Sequence, residues 1–234
     1  MTEDEEIRQD RYDEVVRRFD LHYGPRPLRP NGDITSTLVR TILSQSTTDV
    51  NSSAAFASLR AEFPTWDDVI AAPVDDVAAS IRIGGLSRQK APRIQQVLHS
   101  LHDLDAAGTR IESLTVDEAM SLLTGMDGVG PKTAACVLLF ALGSPVFPVD
   151  THIARVMTRI GIVPDRTSTA TKQRILTDLA GPHSPSIYAA HVETIEHGRR
   201  ICQSRRPRCE ACFLQDVCDW FDQAKPNRHI TTSS

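Results

Sequence analysis

The sequence predicts an all-α protein, and three observations support that prediction. Apolar residues recur at helical spacing along most of the chain, for example in residues 34–43, whereas no segment alternates apolar and polar residues as a half-buried strand would. Thr65 and Thr115 each precede an acidic residue by three positions, the spacing at which the start of a helix is capped. Helix ends are marked by glycines that directly follow apolar helical runs, namely Gly143, Gly161 and Gly198.

Length and composition are those of a globular protein. The chain has 234 residues, of which 40% are hydrophobic and 24% charged, and this length accommodates one large domain or two small lobes. The longest apolar run, residues 134–142, is far shorter than the ~20 residues of a membrane-spanning helix. The acidic start, residues 1–6, is unlike a secretory signal. We therefore expect a cytoplasmic location and no membrane partner.

The distribution of charge is compatible with a nucleic-acid partner, although the net charge of −4 argues against one. Acidic residues crowd the start of the chain, whereas five arginines fall within residues 199–208. This run is either a phosphate-binding surface or a solvated face.

A proline-rich linker separates the first predicted helix from the rest of the chain. Apolar positions between residues 7 and 19 mark that helix, and Pro25, Pro27 and Pro30 cannot continue it. A new unit begins near Asp33. After its first helix, the polar residues 44–49 form either a loop or a site.

Four of the five cysteines form one cluster with the spacing C-x6-C-x2-C-x5-C: Cys202, Cys209, Cys212 and Cys218. In a reducing compartment such clustering indicates a metal site rather than disulfides. Four thiolates hold either zinc or an iron–sulfur cluster, and their chemistry alone does not separate the two. Cys136 lies in an apolar helix, and we expect it in the core.

A glycine-rich turn joins two predicted helices. Gly128 and Gly130 permit tight turns and leave backbone amides uncovered, and Pro131 suits the first turn of the second helix. Amides at a helix N-terminus bind phosphate. Lys132 lies in that first turn, where the helix dipole disfavours an ammonium and favours the free amine, which is a nucleophile. The alternatives are a plain helix connector and a solvated surface lysine.

Taken together, these motifs resemble the endonuclease III family of helix-hairpin-helix DNA glycosylases and abasic-site lyases, which carry a [4Fe–4S] cluster. The cysteine spacing, flanked by residues 197–199 and 206–208, is similar to the cluster loop of that family and favours a [4Fe–4S] cofactor over zinc. The resemblance implies that the hairpin grips one DNA strand and that Lys132 attacks the sugar. It also implies phosphate contacts from the loop between the first two cysteines, through Arg205, Arg206 and Arg208. These arginines would otherwise only screen the anionic cluster.

A second catalytic position follows from residues 148–156, which resemble the Val-Asp-Thr-His motif of the family. Asp150 precedes an apolar-periodic helix, so we expect it to cap that helix. The resemblance further implies that its carboxylate faces the catalytic lysine, stabilises positive charge on the sugar and assists proton transfer.

Extrusion of a stacked base leaves a gap in the duplex. Residues 84–91 resemble a loop that the family inserts there, with Leu86 as the candidate wedge and Arg88 and Lys90 as candidate phosphate contacts. The alternative for Leu86 is a buried staple at the start of a helix. Ser87 replaces the tyrosine or phenylalanine often found in the family.

Residues 43–49 resemble the second inserted loop, but the glutamine of the family pattern is displaced by one position. If Ser46 occupies the wedge position, no long amide side chain fills the gap. If the loop is shifted, Gln45 fills the gap instead. These departures leave the preferred damaged base open.

The resemblance covers residues 10–222 and implies two helical lobes with a DNA-binding cleft between them. Residues 33–144 would form a six-helix barrel lobe with the helix-hairpin-helix, and residues 1–32 with 145–234 a cluster lobe with its [4Fe–4S] loop at 202–218. The implied function is that of a monomeric, nucleoid-associated base-excision repair glycosylase. It would remove oxidised pyrimidines from double-stranded DNA and cleave abasic sites by β-elimination. The alternatives are a monofunctional mismatch or pyrimidine-dimer glycosylase and a non-catalytic DNA-binding iron–sulfur module.

Overall fold

A computed structural model describes residues 2–223, and the regular secondary structure in that part of the chain is entirely helical. The all-α prediction is therefore confirmed. The α-helices in chain order are α1 (Glu3–Tyr23), α2 (Ile34–Ser44), α3 (Asp49–Glu62), α4 (Trp66–Ala71), α5 (Val74–Ser80), α6 (Ser87–Ala106), α7 (Val116–Thr124), α8 (Pro131–Val137), α9 (Thr151–Ile160), α10 (Thr169–Ala180), α11 (Ser184–Arg200) and α12 (Asp219–Gln223). A π-helical segment, Leu138–Leu142, continues α8. Within residues 2–223, none of the helices is both long and apolar enough to cross a membrane.

Most of the predicted helix boundaries are formed as expected. Thr65 and Thr115 both close capping boxes, at the starts of α4 and α7. Gly143 and Gly161 end their helices in the left-handed conformation, with φ of 68° and 92°. The prediction for Gly198 is wrong, because this residue lies inside α11. A Cβ there would come within 3.0–3.1 Å of side-chain atoms of α9, so the glycine permits close helix packing.

The described residues form two compact units. The first, here called the hairpin unit, comprises residues 29–144. The second, here called the cluster unit, comprises the described residues up to Leu28 and those from Pro145 onward. The boundaries predicted from the sequence are residues 33 and 144.

Helix α2 is the central element of the hairpin unit. Six of its 11 residues are buried, and it packs against α3, α6 and α8. Leu38, Ile42 and Leu43 are fully buried, and burial of each such side chain stabilises the fold by ~1.5–3 kcal/mol. This packing brings the loop that follows α2 against the first turn of α8.

The cluster unit is built on α9 and α11, which pack against each other, with α1 against α11 and α12 against α9. The rings of Phe19, His197 and Phe213 form its aromatic centre, with centroids 5.3–6.0 Å apart. Arg18 of α1 forms an ion pair with Asp216 at 2.5 Å. The N-terminal helix is thereby attached to the cysteine-bearing segment.

Candidate active site and cysteine centre

The glycine-rich turn forms a hairpin between α7 and α8. Gly128 has a φ of +81°, a conformation that requires glycine, and Gly130 is the N-cap of α8 with Pro131 at the first helical position. The amides of Gly128 and Gly130 have no hydrogen-bond partner among residues 2–223. The hairpin therefore presents unpaired donors at a helix N-terminus, which is the arrangement that binds phosphate.

Lys132 differs from the other lysines that the structure describes. The sequence contains four lysines, and Lys225 lies outside the described residues. Lys90 and Lys172 are 2% and 7% exposed, and the amine of each donates to an oxygen of the protein. Lys132 is partly exposed, and its amine has no hydrogen-bond partner within residues 2–223. It is therefore the described lysine whose amine is available for chemistry.

The structure corrects the prediction that Lys90 binds phosphate. Its Nζ donates to the carbonyl oxygens of Leu43 and Gly84, at 2.8 and 2.9 Å, and burial lowers the pKa of this amine. Lys90 therefore joins the end of α2 to the turn before α6. Arg88, in contrast, is exposed and has no partner among the described residues, as a phosphate contact requires.

Both candidate wedge loops contain a residue in the left-handed conformation. Ser46 and Leu86, with φ of 54° and 52°, are the non-glycine residues with positive φ in the described chain. This conformation is unfavourable for any side chain with a Cβ, and such strain concentrates at functional sites. Leu86 is 49% exposed, so the buried-staple alternative is wrong.

Gln45 is held inside the hairpin unit. Arg93 of α6 donates to Gln45 Oε1 at 3.1 Å, and Gln45 Nε2 lies 3.5 Å from the hydroxyl of Thr133, the residue after Lys132. Ser46, the next residue, is exposed. Sequence reasoning did not identify Arg93, because its position in α6 reads as an ordinary helix surface.

Asp150 is the N-cap of α9, as predicted. Its Oδ1 accepts a hydrogen bond from the amide of Ile153 at 2.8 Å, which fixes the carboxylate. Its Oδ2 has no partner in the part of the chain that the structure describes, and the side chain is partly exposed. One oxygen therefore has a structural role, and the other is available to a ligand.

The four clustered cysteines line a single cavity in the cluster unit. None of them forms a disulfide. Burial raises the pKa of the Cys212 thiol to about 11, and a bound metal would displace that proton. Within residues 2–223, no three His, Cys, Asp or Glu side chains converge closely enough to hold a single metal ion. Cys136 is buried in α8, as expected.

The loop between the first two cysteines exposes its cations. The side chains of Arg205, Arg206 and Arg208 are exposed and have no partner among the described residues. Arg159 holds the backbone of this loop, because its guanidinium donates to the carbonyl oxygens of Gln203 and Ser204 at 2.8 and 2.9 Å. The same group lies 3.3 Å from Cys202 Sγ. Arg159 was missed in the sequence because it lies in another helix, 43 residues before Cys202.

Comparison with known proteins identifies the class. The family model described as HhH-GPD superfamily base excision DNA repair protein matches residues 39–181. The chain therefore belongs to the HhH-GPD superfamily of base-excision DNA repair proteins.

Within that class the similarity is to endonuclease III. The Thermotoga maritima endonuclease III is 34% identical over 213 residues, covering 89% of this chain and 90% of that protein. The Sulfolobus acidocaldarius endonuclease III is 32% identical over 193 residues, with coverage of 81% and 83%. A solved structure of a trapped endonuclease III–DNA covalent intermediate is similar with a TM-score of 0.75 at 26% identity, covering 92% of this chain and 97% of that one.

Proposed function

We propose that this protein is a base-excision repair DNA glycosylase and abasic-site lyase that acts on oxidised pyrimidines in duplex DNA, with Lys132 as the nucleophile. The observation that carries the proposal is the available amine of Lys132, in contrast to those of Lys90 and Lys172, which are buried and hydrogen-bonded. A Schiff base requires an amine that reaches the sugar. The trapped covalent complex of endonuclease III with DNA supports this chemistry.

The reaction begins when the neutral amine of Lys132 attacks C1′ of the damaged nucleotide. The bond from Nζ to C1′ forms, the glycosidic bond breaks, and the base leaves with a proton. Opening of the sugar ring gives a Schiff base between Lys132 and C1′. Loss of a proton from C2′ then expels the 3′ phosphate, and water hydrolyses the Schiff base to regenerate the amine.

The hairpin binds the DNA strand that is cleaved. The unpaired amides of Gly128 and Gly130 donate to a backbone phosphate, and the N-terminus of α8 adds a partial positive charge there. Arg88 and the arginines of the cysteine loop supply further phosphate contacts. All these contacts are independent of base sequence.

Asp150 provides negative charge for the sugar. Its Oδ1 is committed to the amide of Ile153, and its Oδ2 stabilises the positive charge that develops as the glycosidic bond breaks. The same oxygen assists proton transfer.

Cys202, Cys209, Cys212 and Cys218 hold a [4Fe–4S] cluster in this proposal. The four cysteines line one cavity, so they are placed to share one metal group. Their spacing, C-x6-C-x2-C-x5-C, resembles the cluster loop of the endonuclease III family and favours the cluster over zinc. When bound, the cluster would cross-link the C-terminal segment and make its arginine loop rigid. Arg159, beside Cys202 Sγ, would donate to its anionic sulfur.

Borohydride reduction tests the proposal, because it converts a Schiff base into a stable protein–DNA adduct. Duplexes carrying thymine glycol or a preformed abasic site should give the adduct with the wild-type protein, and duplexes carrying dihydrouracil or uracil measure its specificity. Lys132→Gln should abolish it, and the matched control Lys225→Gln should retain it. An undiminished adduct with Lys132→Gln would place the nucleophile on another amine. Base release without strand cleavage by the wild type would instead indicate a monofunctional glycosylase.

A further inference from the structure

Arg93 lies where three segments of the hairpin unit meet. Its guanidinium donates to Gln45 Oε1 at 3.1 Å, in the loop after α2. Its side chain also lies against the hairpin, because a Cβ on Gly128 would overlap the Nε, Cδ and Cγ atoms of Arg93. Through Gln45 the contact extends to Thr133 in the first turn of α8. A single side chain of α6 thus joins the α2–α3 loop to the hairpin.

The two segments that Arg93 joins both have an unusual backbone. Ser46, directly after Gln45, has a φ of 54°, and Gly128 has a φ of +81°. A left-handed serine persists only where its surroundings fix it. The bonds from Gln45 to Arg93 and toward Thr133 fix the residue before Ser46, and so restrain the serine itself.

We propose that Arg93 is a positioning residue, which ties the α2–α3 loop to the hairpin and so presents Ser46 and the hairpin amides to damaged duplex DNA in a fixed arrangement. This inference rests on the proposed function. It assigns the exposed position in that loop to Ser46, because the amide of Gln45 is engaged within the protein. Preorganisation of this kind raises affinity by reducing the entropy lost on binding.

The rival explanation is that Arg93 contacts phosphate directly, and salt dependence separates the two. Each phosphate contact that is lost reduces the slope of log K against log salt by about 0.9. A positioning residue changes affinity and leaves that slope unchanged. Arg88 is the matched comparison, because it is an arginine of the same helix, exposed and without a partner among the described residues.

The experiment measures equilibrium binding to a duplex with a stable abasic-site analogue, at several salt concentrations, in the Lys132→Gln background. Arg93→Ala and Gln45→Ala should each weaken binding about tenfold, or ~1.4 kcal/mol, with unchanged slope. The double variant should bind the duplex as tightly as the single variant of lower affinity, because both changes break the same contact. Arg93→Lys keeps a donor for Gln45 and should recover most of the affinity. Arg88→Ala should reduce the slope by about 0.9.

Gln45→Ala keeps the inference testable if Arg93→Ala fails to fold. A slope reduced by about 0.9 in Arg93→Ala would make Arg93 a phosphate ligand. Additive losses in the double variant, or parental affinity in both single variants, would also overturn the positioning role. Failure of the positioning role would not affect borohydride trapping by the wild-type protein. Failure of the proposed function would abolish trapping, and the binding measurements could still be interpreted.

Discussion

Lys90 Nζ lies 2.8 Å from the carbonyl oxygen of Leu43 and donates a hydrogen bond to it, although 47 residues separate the two in the chain. A second bond reaches Gly84, so this one amine satisfies two carbonyl groups in a buried site. We expect Lys90→Met to reduce the free energy of unfolding by about 2–3 kcal/mol, because both carbonyls lose their donor. Urea denaturation measures this change.

Arg88→Ala is the control for Lys90, since an exposed residue of the same helix should alter stability by less than about 0.5 kcal/mol. The salt dependence of DNA binding should be unchanged in Lys90→Met. A stable Lys90→Met variant with a reduced salt slope would restore Lys90 as a phosphate contact.

The buried site of Lys90 depends on tertiary packing and not on its sequence neighbours. Local patterns predicted the capping boxes, the hairpin around Gly128 and the N-cap at Asp150, because neighbouring residues determine those features. They did not predict that Lys90 is buried or that Arg93 joins two loops. Those properties depend on carbonyl and amide groups that tertiary packing supplies from distant parts of the chain.

Gly198 is a second residue whose role depends on tertiary packing. Its sequence context, after an apolar run, is that of a helix end, yet α11 continues to Arg200. The approach of α9 explains the glycine, since side-chain atoms of His152 and Arg155 would lie only 3.0–3.1 Å from a Cβ. Close packing between helices leaves no local pattern in one sequence.

Leu86 is 49% exposed with a φ of 52°, as a side chain that enters the duplex should be. Leu86→Ala should slow base release from a paired lesion about tenfold, because extrusion of the base loses its wedge. Strand cleavage at a preformed abasic site should slow less. Single-turnover rates on matched duplexes measure both steps. Ile83→Ala, another exposed apolar residue nearby, is the control, and equal slowing of both steps in Leu86→Ala would contradict the wedge role.

Purified protein should contain iron and acid-labile sulfide in equal amounts and absorb visible light. Cys212→Ala should lose both and bind DNA more weakly, because the loop that carries Arg206 is no longer anchored. Elemental analysis and binding titrations measure these losses. Cys136→Ala, which changes a buried cysteine of α8, should retain the cluster. Stoichiometric zinc without visible absorption would contradict the cluster assignment.

Glu193 is fully buried, and no donor among residues 2–223 forms a hydrogen bond to either of its oxygens. Burial raises the pKa of Glu193 to about 8, and the nearby carboxylates of Asp20 and Glu196 add to this effect. The positive charge of Arg26 opposes it. Between the ordinary pKa of 4.5 and the raised one, Glu193 therefore keeps its proton in the folded state and loses it in the unfolded state. Stability should fall as the pH rises from that value to about 8 and then level off.

Thermal unfolding of wild type and Glu193→Gln at acidic and alkaline pH tests this linkage. The glutamine cannot ionise, so Glu193→Gln should be the more stable protein above the raised pKa and differ little at acidic pH. Glu196→Gln, which removes the partner of Arg26 and Arg200, should not give this stabilisation. A constant difference between wild type and Glu193→Gln across the pH range would exclude a raised pKa at Glu193.

Asp150→Asn separates the two roles of Asp150. Asparagine caps a helix about as well as aspartate, so the bond from Ile153 N and the thermal stability should both be preserved. Only the negative charge is lost. Base release should then slow by about 100-fold or more, because the positive charge on the sugar is no longer stabilised. Borohydride trapping at a preformed abasic site should persist, because Lys132 is intact.

Single-turnover assays on a lesion and on an abasic site measure the two activities. Ser168→Ala, which removes only the cap of α10, controls for loss of a cap. Undiminished base release by Asp150→Asn would leave Asp150 as a structural cap alone.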